Sequence, residues 1–470
     1  MLLSVLLLLL VGCTHASHFY GTMMTYNPKE IQGSDLIVVV RYKLSFRSCT
    51  DGDTWSCSGN CGSLVGTPQI VLEASNELWC QREAVWTWRL SSNAPSSLTL
   101  SGGNWISGIK NSVILWKAVT QVELRNRSDT GRPNASPQTT IMPSLRVPSN
   151  CRRDYDLLAF DPDGDEVQCR YGMLSECNPC NDPTVLSLSD NCTLSFSPTS
   201  SANEGPYAVQ MMMEDFPRQT ITLTQTDGSF VVKNPFQDLS KIPVQFVLKV
   251  DPAVASCTEG VFLPKFLPPT PANKDRLYAD VDQTLKILVR AEAANSTITT
   301  LLFSGPHGVA QVGDGSGNFN LTWTPSDSHN NESHPICFVV QAVSSSSSST
   351  LYHSDLRCII VTVGGTPPPA NITITPTQTV TETKQTTPEP STPEPLTPEP
   401  STPSPTDEST LSTQLIPVGN NFVVAMSIGI STNLPWEDIK DEFLTQLKAE
   451  FVRRGLPPDL SLQILKSQRV

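Results

Sequence analysis

Residues Phe160 to Gly172, FDPDGDEVQCRYG, set four carboxylates, Asp161, Asp163, Asp165 and Glu166, around one glycine. Acids at alternate positions beside a glycine are how a calcium loop begins, because Ca2+ takes roughly six to eight oxygen ligands and carboxylates supply compensating charge. An EF-hand loop needs glycine at its sixth position and a bidentate glutamate at its twelfth. Counted from Asp161, those positions hold Glu166 and Gly172, so that template fails. Two readings stay open: a looser calcium site shared with a neighbouring module, and a plain hairpin turn, since Asp-Gly is a common turn former. Calcium is the one cofactor the chain could use.

Catalytic spacing is harder to find. Of the six histidines, His15 falls in the leader, and His18, His307, His329, His334 and His353 form no His-Glu-x-x-His pair. His329 and His334 sit in SDSHNNESHP, which reads as a solvated, glycan-bearing turn. There is no Gly-x-Ser-x-Gly elbow, and the glycines of VGDGSGNFN lack the strand-to-helix setting of a phosphate cradle. CNPC at Cys177 to Cys180 has the spacing of half a zinc knuckle or a redox pair, yet the second Cys-x-x-Cys is missing. The chain reads as non-catalytic, with an extracellular hydrolase as the weakest alternative.

These residues must be placed by something, and composition bounds what that is. MLLSVLLLLLVGCTHAS has an apolar run and small residues suited to signal cleavage after Ala16, or alternatively Ser17. LVGC also resembles a bacterial lipoprotein box, but no Lys or Arg precedes the run. Without Cys13, the 13 cysteines of the 470-residue chain become an even set in an oxidising compartment, so disulfides are expected throughout. The set is Cys49, Cys57, Cys61, Cys80, Cys151, Cys169, Cys177, Cys180, Cys192, Cys257, Cys337 and Cys358. Cys337 and Cys358 bracket one strand-loop-strand unit and are the best candidate pair, and Cys257 should join one of the five cysteines between Cys151 and Cys192. A net charge of −13 argues against nucleic acid. Asn-x-Ser/Thr sites at Asn126, Asn191, Asn295, Asn320, Asn331 and Asn371 are expected to carry glycans, whereas Asn134 is weakened by Pro137. No later segment is apolar enough to span a membrane, so the chain reads as secreted, with membrane contact only if a longer product carries an anchor.

Short strand-like segments run from His18 to about Pro148. Val38, Val40, Tyr42, Leu44 and Phe46 alternate with other residues at the period of a half-buried strand. Trp79, Trp86, Trp88, Trp105 and Trp116 suit a sandwich core or, less simply, a ligand groove. Beyond a Pro- and Ser-rich boundary, two stretches echo each other: Leu194, Ser195, Phe196, Ser197 and Pro198 match Leu321, Thr322, Trp323, Thr324 and Pro325. Each is followed by a polar loop and a long strand, which predicts two tandem β-sandwiches. In the second copy the turn matching the acidic one is AEAANSTI, with Glu292 but no aspartate triplet, so the fold does not require the acids.

From residue 365 the composition turns to Thr-Pro-Glu-Pro repeats, a disordered mucin-like stalk. After residue 416, NFVVAMSIGIS reads as a strand, PWEDIKDEFLTQLKAEFVRRG as a helix with Ile439, Phe443, Leu447 and Phe451 on one face, and SLQIL as a strand. The expected fold is mainly β: signal 1–16, a disulfide-stapled β domain 17–148, antiparallel β-sandwich-like modules 149–256 and 257–364, stalk 365–415 and a small α/β unit 416–470.

The stretches LLAFDPDGDEVQCRYG and GNFNLTWTPSDS resemble the cadherin-like or dystroglycan-type immunoglobulin-like modules of extracellular proteins over roughly residues 149 to 364. The C-terminal segment is similar to the first half of an SEA domain without its Gly-Ser-aliphatic cleavage motif. Taken whole, the chain resembles a group of vertebrate secreted or cell-surface proteins, and that resemblance implies no particular activity. The expected role is extracellular binding or adhesion toward a protein or glycan partner. The alternative is a structural, mucin-like component of a mucosal or egg coat.

Overall fold

The computed structural model describes residues 18–365 except 33–34 and 346–349, together with Lys448. The signal segment, almost all of the expected stalk, the SEA-like unit apart from Lys448, and Asn371 lie outside the described residues. Among the described residues the chain is essentially all β, with several antiparallel sheets.

The N-terminal strands are β1 (Phe19–Gln32), β2 (Asp35–Phe46), β3 (Ser56–Gly59), β4 (Ser63–Val65), β5 (Gln69–Ala74), β6 (Trp79–Leu90), β7 (Ser96–Asn104), β8 (Leu115–Val122) and β9 (Asn126–Arg127). β2 lies between β1 and β6, antiparallel to both. Its alternation does what period two requires: Val38, Val40, Tyr42, Leu44 and Phe46 are all buried. Trp79, Trp86, Trp88, Trp105 and Trp116 are buried in the same core, so they are packing residues rather than a groove lining.

The next strands are β10 (Ser144–Pro148), β11 (Arg153–Asp156), β12 (Glu166–Tyr171), β13 (Leu186–Leu188), β14 (Thr193–Phe196), β15 (Gly205–Phe216), β16 (Ile221–Thr224), β17 (Phe230–Lys233) and β18 (Lys241–Asp251). β12, β15 and β18 pair in that order, and β10 adds to β18 in parallel. The facing sheet is β11-β14-β13. β18 also meets β8 at Lys241–Gln121 and β1 at Met23–Val244, so the sheet runs on into the N-terminal strands across the expected 148/149 boundary. One hydrophobic core serves both segments.

The last strands are β19 (Lys265–Leu267), β20 (Arg276–Ala279), β21 (Leu285–Glu292), β22 (Ser296–Ser304), β23 (Ala310–Gly313), β24 (Asn318–Trp323), β25 (Ser333–Ser344), β26 (Leu351–His353) and β27 (Arg357–Val363). Here β22-β25-β27 carries β20 in parallel on β27, and β21-β24-β23 forms the facing sheet with β19 at its edge. This repeats the β12-β15-β18-β10 and β11-β14-β13 arrangement strand for strand. The paired Leu-x-aromatic-x-Pro segments, on β14 and β24, occupy the same central position in both copies. The two modules are topological duplicates, and the acidic β11–β12 turn corresponds to the short β21–β22 link.

Among the described residues there are six disulfides, Cys49–Cys80, Cys57–Cys61, Cys151–Cys257, Cys169–Cys192, Cys177–Cys180 and Cys337–Cys358. Cys169–Cys192 ties β12, which follows the acidic turn, to the residue before β14.

The second module packs on the polar side of β2. Lys43 is buried there and donates to Thr140 Oγ1 (3.0 Å), Ser304 Oγ (3.1 Å) and the Gly305 carbonyl (2.5 Å). Burial lowers its pKa to about 8, against the opposing pull of Glu83. Glu77 joins all three parts of the fold. Its carboxylate accepts from Arg146 Nε (2.5 Å), Lys249 Nζ (2.9 Å) and Gln341 Nε2 (2.7 Å), and lies 3.6 Å from His353 Nε2. Burial works to raise its pKa, but His353, Arg146 and Lys249 outweigh burial and hold it well below the usual carboxylate range.

Candidate metal centre

The β11–β12 turn folds on its own first aspartate. Asp161 Oδ1 accepts from the backbone N–H of Asp163 (2.8 Å) and Asp165 (3.3 Å), and Gly164 takes φ +87°, a conformation that favours glycine. The tight Asp-Gly turn expected from sequence forms, but it is not a hairpin: β11 pairs with β14 and β12 with β15, so the turn carries the chain from one sheet to the other. It also turns the acids inward, against residues distant in sequence.

Arg127, on β9, enters from the N-terminal segment and has all five of its N–H groups engaged. Two reach Asp129 (3.0 and 2.8 Å), one reaches Asn134 Oδ1 (2.7 Å), and two clasp the Asp165 carboxylate. Asp163 Oδ2 accepts the Ala135 N–H at 2.7 Å. Asp215, near the end of β15, is fully buried. It accepts from the Ser240 N–H and hydroxyl (2.7 Å each) and from Asn134 Nδ2 (2.7 Å). Glu166 points outward from β12, is exposed, and accepts from Gln168 (3.0 Å).

The residues brought together are therefore not the four contiguous acids. Asp161, Asp165 and Asp215 each bring one carboxylate oxygen within 4.8 Å of the others. Asp163 stands beside this group, and Glu166 stands outside it. Asp215, Arg127 and Asn134 were missed from sequence: MMMEDF reads as a strand end, and Asn134 reads as a weakened glycan site. Asn134 is completely buried, bridging Arg127 and Asp215.

Negative charge exceeds positive here. Arg127 is saturated by Asp129, Asp165 and Asn134, and among the described residues neither Asp161 nor Asp215 receives a cationic partner at the cluster. Asp161 Oδ2 is buried with no hydrogen-bond partner among the described residues. Burial, followed by the charges of Asp215, Asp165 and Asp163, pushes Asp161 far above its usual range. Asp215 is pushed up to about 7, by burial first and by the Asp165 charge, against hydrogen bonds from Asn134 and Ser240.

A hard divalent cation fits this arrangement. Two oxygens on opposite sides of a calcium ion stand up to roughly 5 Å apart, given Ca–O bonds of about 2.3–2.6 Å. The donors are all carboxylate oxygens, a set that suits calcium or magnesium rather than zinc. Asp161 and Pro162 also form part of the wall of a cavity of about 230 Å³ that Arg41, Arg276, Glu332 and His334 line as well.

The histidine pair is not the solvated turn expected from sequence. His334 is buried, and its ring lies 5.1 Å from Trp323 and 5.0 Å from His329 between centroids. Burial, with Arg41 nearby, lowers the His334 pKa well below the usual histidine value.

No family model matches the chain, and no curated protein matches it. Several solved structures do. A chimeric titin Z1Z2 tandem is similar over 50% of this chain and 99% of its own length, at 11% identity and a TM-score of 0.16. Human protocadherin-24 EC1-2 is similar over 50% of this chain and all of its own, at 10% identity and a TM-score of 0.16. An endo-fucoidan hydrolase of glycoside hydrolase family 107 is similar over 69% of this chain and 41% of its own, at 15% identity and a TM-score of 0.17.

Proposed function

We propose that this chain acts outside the cell as a non-catalytic binding or adhesion protein, and that calcium fastens the seam between its N-terminal domain and first module. The observation that carries the reading is the Asp161–Asp215 pair. A fully buried carboxylate, Asp215, and a half-buried one, Asp161, whose inner oxygen has no hydrogen-bond partner among the described residues, meet where Arg127 and Asn134 of the N-terminal segment enter the first module. Such a site is costly without a cation and stabilising with one. Six disulfides suit an oxidising compartment, where calcium is abundant. The partner is an extracellular protein or glycan, met by the outer faces and loops of a preassembled β scaffold.

The test uses the full chain, secreted from cultured cells and coupled to beads. Saturable bead–bead or bead–cell binding in millimolar calcium, lost with a chelator and in the Asp161→Asn variant, supports the proposal. Binding that chelator leaves unchanged removes the calcium role. No binding under either condition, to cells or to matrix glycans, overturns the adhesion reading.

A further inference from the structure

Asn320 lies in the middle of β24, at the centre of the outer face of its sheet. Across β21 it stands directly opposite Leu288, and across β23 directly opposite Val312. Directly opposed residues share a face, so Leu288, Asn320 and Val312 form one row across three strands. The opposite face, with Ile287, Val289, Phe319 and Leu321, is buried in the module core. Leu288 is 51% exposed and Val312 66% exposed, and among the described residues 257–365 they are the only exposed large apolar side chains. Both flank the acceptor of an Asn-Leu-Thr sequon whose Thr322 lies on the same face.

A second row repeats the pattern. Asn126 on β9 stands opposite Thr224 on β16, and Thr224 stands opposite Phe230 on β17. Phe230 is 65% exposed, and Val232, two residues on and so on the same face, is 54% exposed. The acceptor and the ring are separated by two strand spacings, roughly 10 Å.

We infer that N-linked glycans at Asn320 and Asn126 are packing elements of this fold, and that their first sugars cover Leu288 and Val312 on one sheet and reach Phe230 on the other. A pyranose ring presents a C–H face as well as hydroxyls. A sugar held on Asn320 therefore lies within reach of both flanking side chains, with Lys286 and Arg290 on the same outer face of β21 to meet its polar edge. Covering exposed aliphatic area removes it from water and shields a sheet face that would otherwise invite association. Transfer of the glycan precedes folding, so the mid-strand position of Asn320 is no obstacle. The inference rests on the extracellular reading above, because glycosylation requires the secretory route.

The experiment uses the full chain secreted from cells restricted to high-mannose glycans. Peptide mass spectrometry reads occupancy at each sequon. Fluorescence of an apolar dye and Tm are then compared for the intact chain, the chain trimmed enzymatically to one N-acetylglucosamine, Asn320→Gln, and Thr322→Ala, which removes the glycan but keeps the asparagine. The expected result is an occupied Asn320 and unchanged dye binding after trimming. Both unglycosylated variants should bind more dye and lose about 2 °C in Tm, and adding Leu288→Thr and Val312→Thr should return the dye signal to baseline. Glycans elsewhere with Asn320 empty overturn the inference, as do variants that match the intact chain. A secreted chain bare at every sequon overturns the inference alone, whereas failure of the chain to be secreted overturns the extracellular reading itself.

Discussion

Glu77 offers the sharpest test of how the three parts of this molecule hold together. Its side chain is fully buried, and it takes Arg146 and Lys249 from the β10–β18 pair of the first module and Gln341 and His353 from the second. Glu77→Gln keeps the shape and removes the charge. Lys249 is then left without its carboxylate, while Arg146 keeps Asp251 at 2.6 Å. Breaking a buried ion pair costs about 3–5 kcal/mol, and the retained Asp251 contact places this variant near the low end, about 3 kcal/mol. With m near 3 kcal/mol/M, the urea midpoint should fall by about 1 M. The pH dependence has a definite sign. The folded pKa of Glu77 lies below its unfolded value, so the unfolded chain binds the extra proton first. The stabilisation is complete above about pH 4.5 and is lost as pH falls below that. The gap between wild type and Glu77→Gln should therefore be widest near neutrality and narrow in acid. Replacing Lys249 with Met as well should recover part of the loss, because the uncompensated charge disappears. A midpoint within about 0.2 M of wild type, or a gap that does not narrow in acid, would refute the reasoning.

Three further outcomes follow from the same structure. Calcium at about 2 mM should raise the stability of the full chain by about 2 kcal/mol for a site of about 0.1 mM affinity, and Asp161→Asn should show no such rise while matching or exceeding wild type in chelator; calorimetric scans decide this. Lys43 has a folded pKa of about 8, below its unfolded value, so stability should increase as pH rises from about 8 to about 10.5; urea midpoints for Lys43→Met should lack that slope. Removing Cys151–Cys257, which spans 106 residues, should cost about 4–5 kcal/mol in the chain-entropy account; denaturation of the doubly serine-substituted chain measures it.

Local chemistry in the sequence settled a good deal. Alternation at period two put Val38, Val40, Tyr42, Leu44 and Phe46 in the core, because a strand sends successive side chains to opposite faces. The echo of LSFSP in LTWTP marked two modules with the same strand plan, since each motif supplies the central strand of one sheet. The Asp-Gly turn was legible because its hydrogen bonds close within five residues.

Period two names a face but not what covers it. Arg41, Lys43 and Ser45 read as a solvent side, yet Lys43 and Ser45 are buried and Arg41 pairs with Glu332 of the second module. The same limit hid the metal centre. Asp165 and Glu166 are neighbours, but the pleat turns one toward Arg127 and the other toward water. Asp215 and Arg127 reach the cluster through β15 and β9, brought there by pairings between segments far apart in the chain. Local residue types fixed the strands, the repeat and the turn. Which carboxylates meet, and which lack a counter-charge, depended on long-range packing that no window of sequence contains.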